Sequence, residues 1–230
     1  MNTSFNEQSR INWVAAVLEK IPAGWVILDA GAGEQQYKKF CTHLKYVSQD
    51  FAAYNPVSNE EGLQMGSWNY GELDIVSDIT NIPRADGSFD AILCTEVFEH
   101  IPDPIAALKE FSRLLRPGGV LITTAPFCSM THFAPFHFAT GFNKYFYETH
   151  LPLLGFKIDS IIANGNYFSY LAQEISRMPH VAETYKLNKI NLIGKIALSI
   201  LLKFAKKNAE IDNQSNELMC FGYHVVATKN

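Results

Sequence analysis

No stretch of this chain stays apolar and uncharged for the roughly 18 to 20 residues that a helix needs to cross a bilayer. The nearest approach, LNKINLIGKIALSILLKF over residues 187–204, is interrupted by Lys189, Lys195 and Lys203 and reads as a buried or interfacial helix. Positive charge is in short supply as well, with 19 Lys and Arg against 23 Asp and Glu, a net charge of −4 and a pI near 6.0. That excludes an overall basic field able to hold a phosphate backbone by counterion release, so no nucleic-acid partner is expected. Cysteine is sparse. Cys41, Cys94, Cys128 and Cys220 stand far apart and form no C-x-x-C, which removes both a zinc-ligand spacing and a small disulfide framework. No metal is expected on that ground, and the reducing cytoplasm is the simplest location. The opening MNTSFNEQSRINWVAAVLEKIP has no cationic start followed by an apolar run, so it reads as a helix within residues 1–22 and not as a secretion signal.

What is present is apolar sequence in short blocks. With 230 residues, 47% of them hydrophobic, the chain can bury a sizeable core as a single domain over 1–230. Apolar residues at helical spacing run from Ile11 to Ile21 and stop before Pro22. Strands are expected at Trp25–Leu28, Lys45–Asp50, Leu73–Asp78, Phe89–Cys94, Val120–Thr124, Phe156–Ile162 and the C-terminus, with helices at Glu34–Leu44 and Asp103–Leu115. Residues 51–71, rich in Asn, Ser, Gly and Pro, read as loop, 128–150 as an aromatic loop passing into a helix, and 166–215 as a helical insertion. Strands alternating with helices predict an α/β fold with a doubly wound, mostly parallel sheet, whose ligands bind at the carboxyl ends of the strands.

One such end is WVILDAGAGEQQY. Gly31 and Gly33 remove Cβ groups from the turn after the first strand, which allows positive φ and close approach of a ligand to the main chain. A tight strand-to-helix turn would ask for the same glycines. The dinucleotide pattern G-x-G-x-x-G fails because Gln36 occupies its third glycine position, which lowers the weight of hydride chemistry on NAD. The pattern present is D-x-G-x-G, with Asp29 placed to meet a cation or to order the loop. Asp50, ending the second strand, can accept both hydroxyls of a ribose, although a lone Asp is more often a solvated cap. Asp78 can accept an adenine amino hydrogen, Ile79 can offer its N–H and an apolar side chain, and Cys94–Glu96 ends the fourth strand beside the site.

VILDAGAGEQQY, YVSQD, SDITNIPRADGSFDAILCTEVFEHIPDP and LKEFSRLLRPGGVLITTAPF, in this order, resemble the class I, Rossmann-like S-adenosylmethionine-dependent methyltransferases, in particular the small-molecule group with an EHIPDP stretch after the fourth strand. The resemblance implies a seven-stranded sheet whose last strand is antiparallel. It also implies that Asp29, Gly31, Ala32 and Gly33 hold the methionine end of the cofactor, Asp50 the ribose, and Asp78 with Ile79 the adenine. Phe51 would pack on the adenine, and Cys94, Thr95 and Glu96 would line the methyl-donor side. Further on, HFAPFHFATGFNKYFYETHLPLLGF resembles a segment found in members linked to sugar and surface-polysaccharide pathways. His137 and Thr140 stand where those members have Asp and Arg, which leaves the acceptor open.

Methyl transfer is an in-line displacement that depends on positioning, and an oxygen acceptor of high pKa also needs a base. His100, His132 and His137 are the candidate bases, with packing or surface roles as the plain alternative, and Glu99 is expected to cap or order the turn beside His100. Phe133, Phe136 and their aromatic neighbours could form a lid or simply pack. The 166–215 insertion is expected to cover the site or form a homodimer face ahead of lying on a membrane. The expected function is methyl transfer to a small-molecule acceptor, with a carbohydrate hydroxyl leading. A cofactor-binding protein without catalysis and an NAD-dependent oxidoreductase are the rivals.

Overall fold

The computed structural model describes residues 5–56, 62–63 and 67–230. The parts of the 51–71 loop at 57–61 and 64–66 lie outside the described residues. The chain divides into two compact units, one comprising Met1–Ile162 with Gly222–Asn230 and the other Ala163–Phe221.

The first unit opens with helix α1, Phe5–Leu18, which starts earlier and stops sooner than its apolar spacing suggests. Strands β1 (Val26–Ala30), β2 (Lys45–Asp50), β3 (Ile75–Val76) and β4 (Phe89–Thr95) follow. Helix α2 (Pro104–Leu114) leads without a break into β5 (Leu115–Pro126). Helix α3 (Lys144–Leu153) and strand β6 (Phe156–Asn164) then precede the second unit, and β7 (Gly222–Lys229) returns to the first. The strands form one sheet in the order β3-β2-β1-β4-β5-β7-β6. Pairings from β3 to β5 are parallel, and β7 runs antiparallel to β5. The strand order reverses between β1 and β4, which puts the switch point, and the crevice expected there, at the carboxyl ends of those two strands.

Local chemistry explains most of these boundaries. Asp103 caps α2, its Oδ1 accepting from the Ala106 N–H at 2.9 Å, and Pro104 fills the first helical position, where no amide hydrogen is needed. Val14 and Leu18 of α1 are fully buried and pack with Ile27, Ala91, Leu93 and Ile122, which alternate along β1, β4 and β5 to present one face of the sheet. Burying a side chain of this size stabilises the fold by about 1.5–3 kcal/mol.

The helix expected over Glu34–Leu44 does not form. Only a single 3-10 turn appears there, at Lys38–Phe40. Gln35 has a φ of 56°, which a helix cannot contain, and its side-chain amide donates to the carbonyls of Tyr70 at 2.9 Å and Glu72 at 2.7 Å. Those tertiary bonds pull the segment out of helical geometry. The strand expected over Leu73–Asp78 is reduced to Ile75–Val76, because at Asp74 side chains replace the ladder: the Asp74 carboxylate accepts from the Ser48 N–H and hydroxyl, each at 2.8 Å, and the Asp74 N–H donates to the Ser48 hydroxyl at 3.0 Å.

The second unit is a helix pair, α4 (Tyr167–Thr184) and α5 (Leu192–Ile211). Asn166 and Asn191 cap the two helices, and the Asn166 amide donates to the carbonyls of Ala209 and Asp212, fastening the start of α4 to the end of α5. Leu192, Ile193, Ile196, Ile200 and Phe204 of α5 are exposed. No helix among the described residues is long and apolar enough to cross a membrane.

Candidate active site

The carboxyl ends of β1, β2 and β4 gather the residues that the sequence singled out. Asp29, the next-to-last residue of β1, is buried, and the Tyr46 hydroxyl donates to its Oδ2 at 2.6 Å. Burial pushes its carboxyl from an ordinary 3.8 up to about 7; the Tyr46 bond opposes that rise and the Asp50 charge adds to it. Asp29 therefore meets a phenol of the next strand and not the N–H groups of the glycine turn.

The turn is ordered by β2 instead. Gly31 and Ala32 both donate to the Gln49 carbonyl at 2.9 Å, and Gly33 donates to Asp50 Oδ2 at 2.9 Å. The other carboxyl oxygen of Asp50 accepts from the Ala52 N–H at 3.0 Å. Burial raises the Asp50 pKa while those backbone bonds hold it down. Gly31 and Gly33 have φ values of 74° and 50°, so the left-handed geometry requires glycine on its own account.

Close approach requires it too, with a consequence the sequence did not suggest. A Cβ on Gly31 would lie 2.5 Å from Val97 Cγ2, and one on Gly33 would lie 2.9 Å from Trp68 Cζ2. The bare main chain thus faces the protein's own side chains. Trp68 belongs to an aromatic group in which Tyr54 stacks on Phe133 at 4.1 Å and Trp68 meets Phe133 edge-on at 4.8 Å.

The side expected to meet a nucleoside is more open. Phe51 is 41% exposed and touches Phe136 edge-on at 5.0 Å. Asp78 Oδ1 accepts from the Thr80 N–H and hydroxyl, and the Ile79 side chain is buried. At the tip of β4, Cys94 is wholly buried and its thiol is pushed well up by that burial. Thr95 is half-buried. Glu96 has a φ of 54°, accepts from the Thr124 hydroxyl at 2.8 Å and pairs with Arg10 of α1 at 3.1 Å. Arg10 carries no motif, and only its partner in the fold marks it.

The structure brings the three candidate bases together. Ring centroids lie 4.6 Å apart for His100 and His132, 5.0 Å for His132 and His137, and 5.9 Å for His100 and His137. His100 is held by a 2.6 Å bond from Nδ1 to the Phe136 carbonyl; burial, then the neighbouring His132, lowers its pKa to about 3. Burial lowers that of His137 as well. Glu99 does not cap the turn with its side chain. It is 1% exposed, neither carboxyl oxygen has a hydrogen-bond partner among the described residues, and burial first, then Glu96, holds its carboxyl well above the usual range.

A nucleoside cofactor of the expected kind fits the donor chemistry: a β2 acid beside a glycine turn, an exposed aromatic ring and a second acid on the neighbouring loop. Its methionine end would need Val97 and Trp68 to give way.

Comparison with known proteins accords with this geometry. Residues 28–123 match the family model described as "Methyltransferase domain". A ubiquinone biosynthesis O-methyltransferase of Xanthomonas axonopodis pv. citri is 34% identical over 115 residues, covering 49% of this chain and 46% of the relative. A demethylmenaquinone methyltransferase of Mycolicibacterium vanbaalenii is 30% identical over 149 residues, covering 58% and 62%. The chain thus spans about half to three fifths of the length of these relatives. Among solved structures, phosphoethanolamine N-methyltransferase 2 of Haemonchus contortus, in complex with S-adenosyl-L-methionine, aligns with a TM-score of 0.53 at 17% identity, covering 96% of this chain and 52% of that one. The cyclase SpnF aligns with a TM-score of 0.56 at 15% identity, covering 97% and 81%. These two share the fold and differ in activity. With the sheet order, the antiparallel last strand and the glycine turn already in place, residues 28–123 are similar to methyltransferase domains, and the chain shares the fold of these solved structures.

Proposed function

We propose that the chain is an S-adenosylmethionine-dependent methyltransferase that methylates a hydroxyl of a small molecule. The observation that carries this reading is the joint placement of Asp50 and the Gly31–Gly33 turn: an acid at the β2 tip that both shapes the turn and offers remaining lone pairs to a ribose diol. When bound, the cofactor supplies an electrophilic methyl group on a sulfonium. Asp50 would hold the ribose, Asp78 and the Ile79 main chain the adenine edge, and Phe51 the adenine face. His100, His132 and His137 stand together as acceptor-side groups.

The named relatives concern quinone biosynthesis, one of them as an O-methyltransferase, and give the carbohydrate acceptor no support. A hydroxyl acceptor is common to the carbohydrate reading and to the ubiquinone biosynthesis O-methyltransferase alone. The cytoplasm is the proposed compartment, supported by four cysteines of which none forms a disulfide.

A cofactor-binding protein without catalysis is the second reading; the Val97 and Trp68 side chains over the glycines must give way in either reading. Two measurements separate the readings. Calorimetric titration with S-adenosylhomocysteine should show binding to the wild type and a loss of at least about tenfold in Asp50→Ala, the cost of one hydrogen bond to a charged group. Equal affinity in the two proteins would remove the ribose assignment. Methyl-labelled S-adenosylmethionine incubated with a small-molecule extract should then yield labelled product; binding without any transfer would favour the second reading.

A further inference from the structure

Helix α5 carries an apolar stripe on its open side. Ile193, Ile196, Ile200, Phe204 and Ile211 recur at intervals of three, four and seven residues, which puts them along one side of the helix, and each is more than half exposed. The opposite side, with Ala205 fully buried and Leu202 and Ala209 half-buried, is the packed one. Leu187, in the turn before the helix, is exposed as well. Single apolar residues on a surface need no explanation, but a contiguous stripe of this length marks a contact face.

The charge around the stripe says what covers it. Residues 184–209 contain six lysines, Lys186, Lys189, Lys195, Lys203, Lys206 and Lys207, and no Asp or Glu. All of them but Lys195 are exposed. Residues 163–221 hold seven Lys and Arg against five Asp and Glu, so this unit is basic within a chain of net charge −4. Lys203 follows Ile196, and Lys207 follows Ile200, by seven residues, so both lysines lie along the edge of the isoleucine stripe. Their long apolar stems let the ammonium groups stay in water while the stripe beside them is covered. A second copy of this face would set lysines against lysines with no carboxylate to meet them, and like charges brought together oppose association. An anionic surface therefore takes precedence over the homodimer face that the sequence led us to expect.

We propose that the second unit docks on an anionic lipid surface, with α5 lying in the plane of the interface. The helix is not apolar enough to cross a membrane, and its one-sided stripe suits a position at the boundary between head groups and acyl chains. There the isoleucines and Phe204 enter the apolar layer and the lysines meet lipid phosphates. The two contributions are separable, because salt screens the lysine attraction and leaves the apolar burial in place. This docking does not depend on the proposed methyl transfer, and the unit that carries it lies beyond the matched residues 28–123.

The full chain is mixed with vesicles of phosphatidylcholine, alone or with phosphatidylglycerol, and floated through a density gradient. It should rise with the mixed vesicles and stay behind with the zwitterionic ones, and added salt should release it. Ile196→Gln combined with Ile200→Gln, at two exposed positions, should abolish co-flotation without lowering the melting temperature. Lys203→Gln combined with Lys207→Gln should weaken binding to the mixed vesicles by about tenfold or more and flatten its salt dependence. No co-flotation of the wild type with mixed vesicles overturns the proposal, as does equal recovery with the two kinds of vesicle. Unchanged binding in both variants also overturns it, by placing the contact elsewhere on the chain. A lipid-free dimer that the isoleucine changes dissociate, without co-flotation, would give the face to a second copy and reject the lipid. Should the isoleucine variant fail to fold, the lysine variant and the salt dependence of the wild type decide alone.

Discussion

Gly31 shows how much one missing methyl can decide. Its φ of 74° and the 2.5 Å that would separate an added Cβ from Val97 Cγ2 are distinct obstacles to any side chain. Gly31→Ala should therefore destabilise the fold by about 2 kcal/mol or more, the strained backbone accounting for roughly half. Adding Val97→Ala should recover the steric part and leave the backbone part, so the two changes should be clearly non-additive in a denaturant double-mutant cycle. Additive losses would mean that Val97 does not seat against this glycine. Asp50 shows the complementary case. Its place beside the glycine turn was legible because an acid ends the strand that follows that turn, but its bonds to the Gly33 and Ala52 N–H groups were not.

Among the elements, α1 is tied to the tip of β4 by the Arg10–Glu96 pair, with side chains 15% and 28% exposed. Removing one partner leaves the other charge in a largely dry position. Glu96→Gln should cost about 2 kcal/mol, and Arg10→Met with Glu96→Gln should cost less than the sum of the single changes. Thermal or urea unfolding would read both; strictly additive losses would deny the pair. The loop carrying Trp68 makes a second prediction at this scale. Because Trp68 covers Gly33, seating a cofactor on that turn must move the indole. In a Trp13→Phe, Trp25→Phe background, S-adenosylhomocysteine should change the emission of Trp68, and saturable binding with an unaltered spectrum would show that the glycine turn is not where the cofactor sits.

For the molecule as a whole, stability should depend on pH through its buried acids. Asp29 has a folded pKa of about 7 against an ordinary 3.8, so between those values the folded chain holds a proton that the unfolded chain has released. The unfolded state then binds fewer protons, and stability falls as pH rises through that window. Asp50 and Glu99 are shifted in the same direction, whereas Asp74, Asp90 and Glu110 are shifted downward and matter only as pH falls below the ordinary carboxylate range. Asp29→Asn keeps an acceptor for the Tyr46 hydroxyl and removes the titration. Its melting temperature should decline less than that of the wild type between about pH 5 and pH 7.5, and parallel curves would show that Asp29 titrates normally.

The alternation of strands and helices along the chain, the glycine turn and the acids at the strand tips were determined by the sequence alone, since each depends on residues close along the chain, whereas the sheet order came from the structure. Buried parallel strands demand continuous apolar runs, tight turns demand glycine, and caps demand short polar side chains. Tertiary structure alone decided that Glu34–Leu44 is not a helix, that Val97 and Trp68 cover the glycines, and that Arg10 meets Glu96. It also decided that Glu99 and three histidines converge beside β4. Such meetings join side chains far apart in sequence, and neither helical nor strand periodicity carries information about which distant residues share a volume once the core has closed.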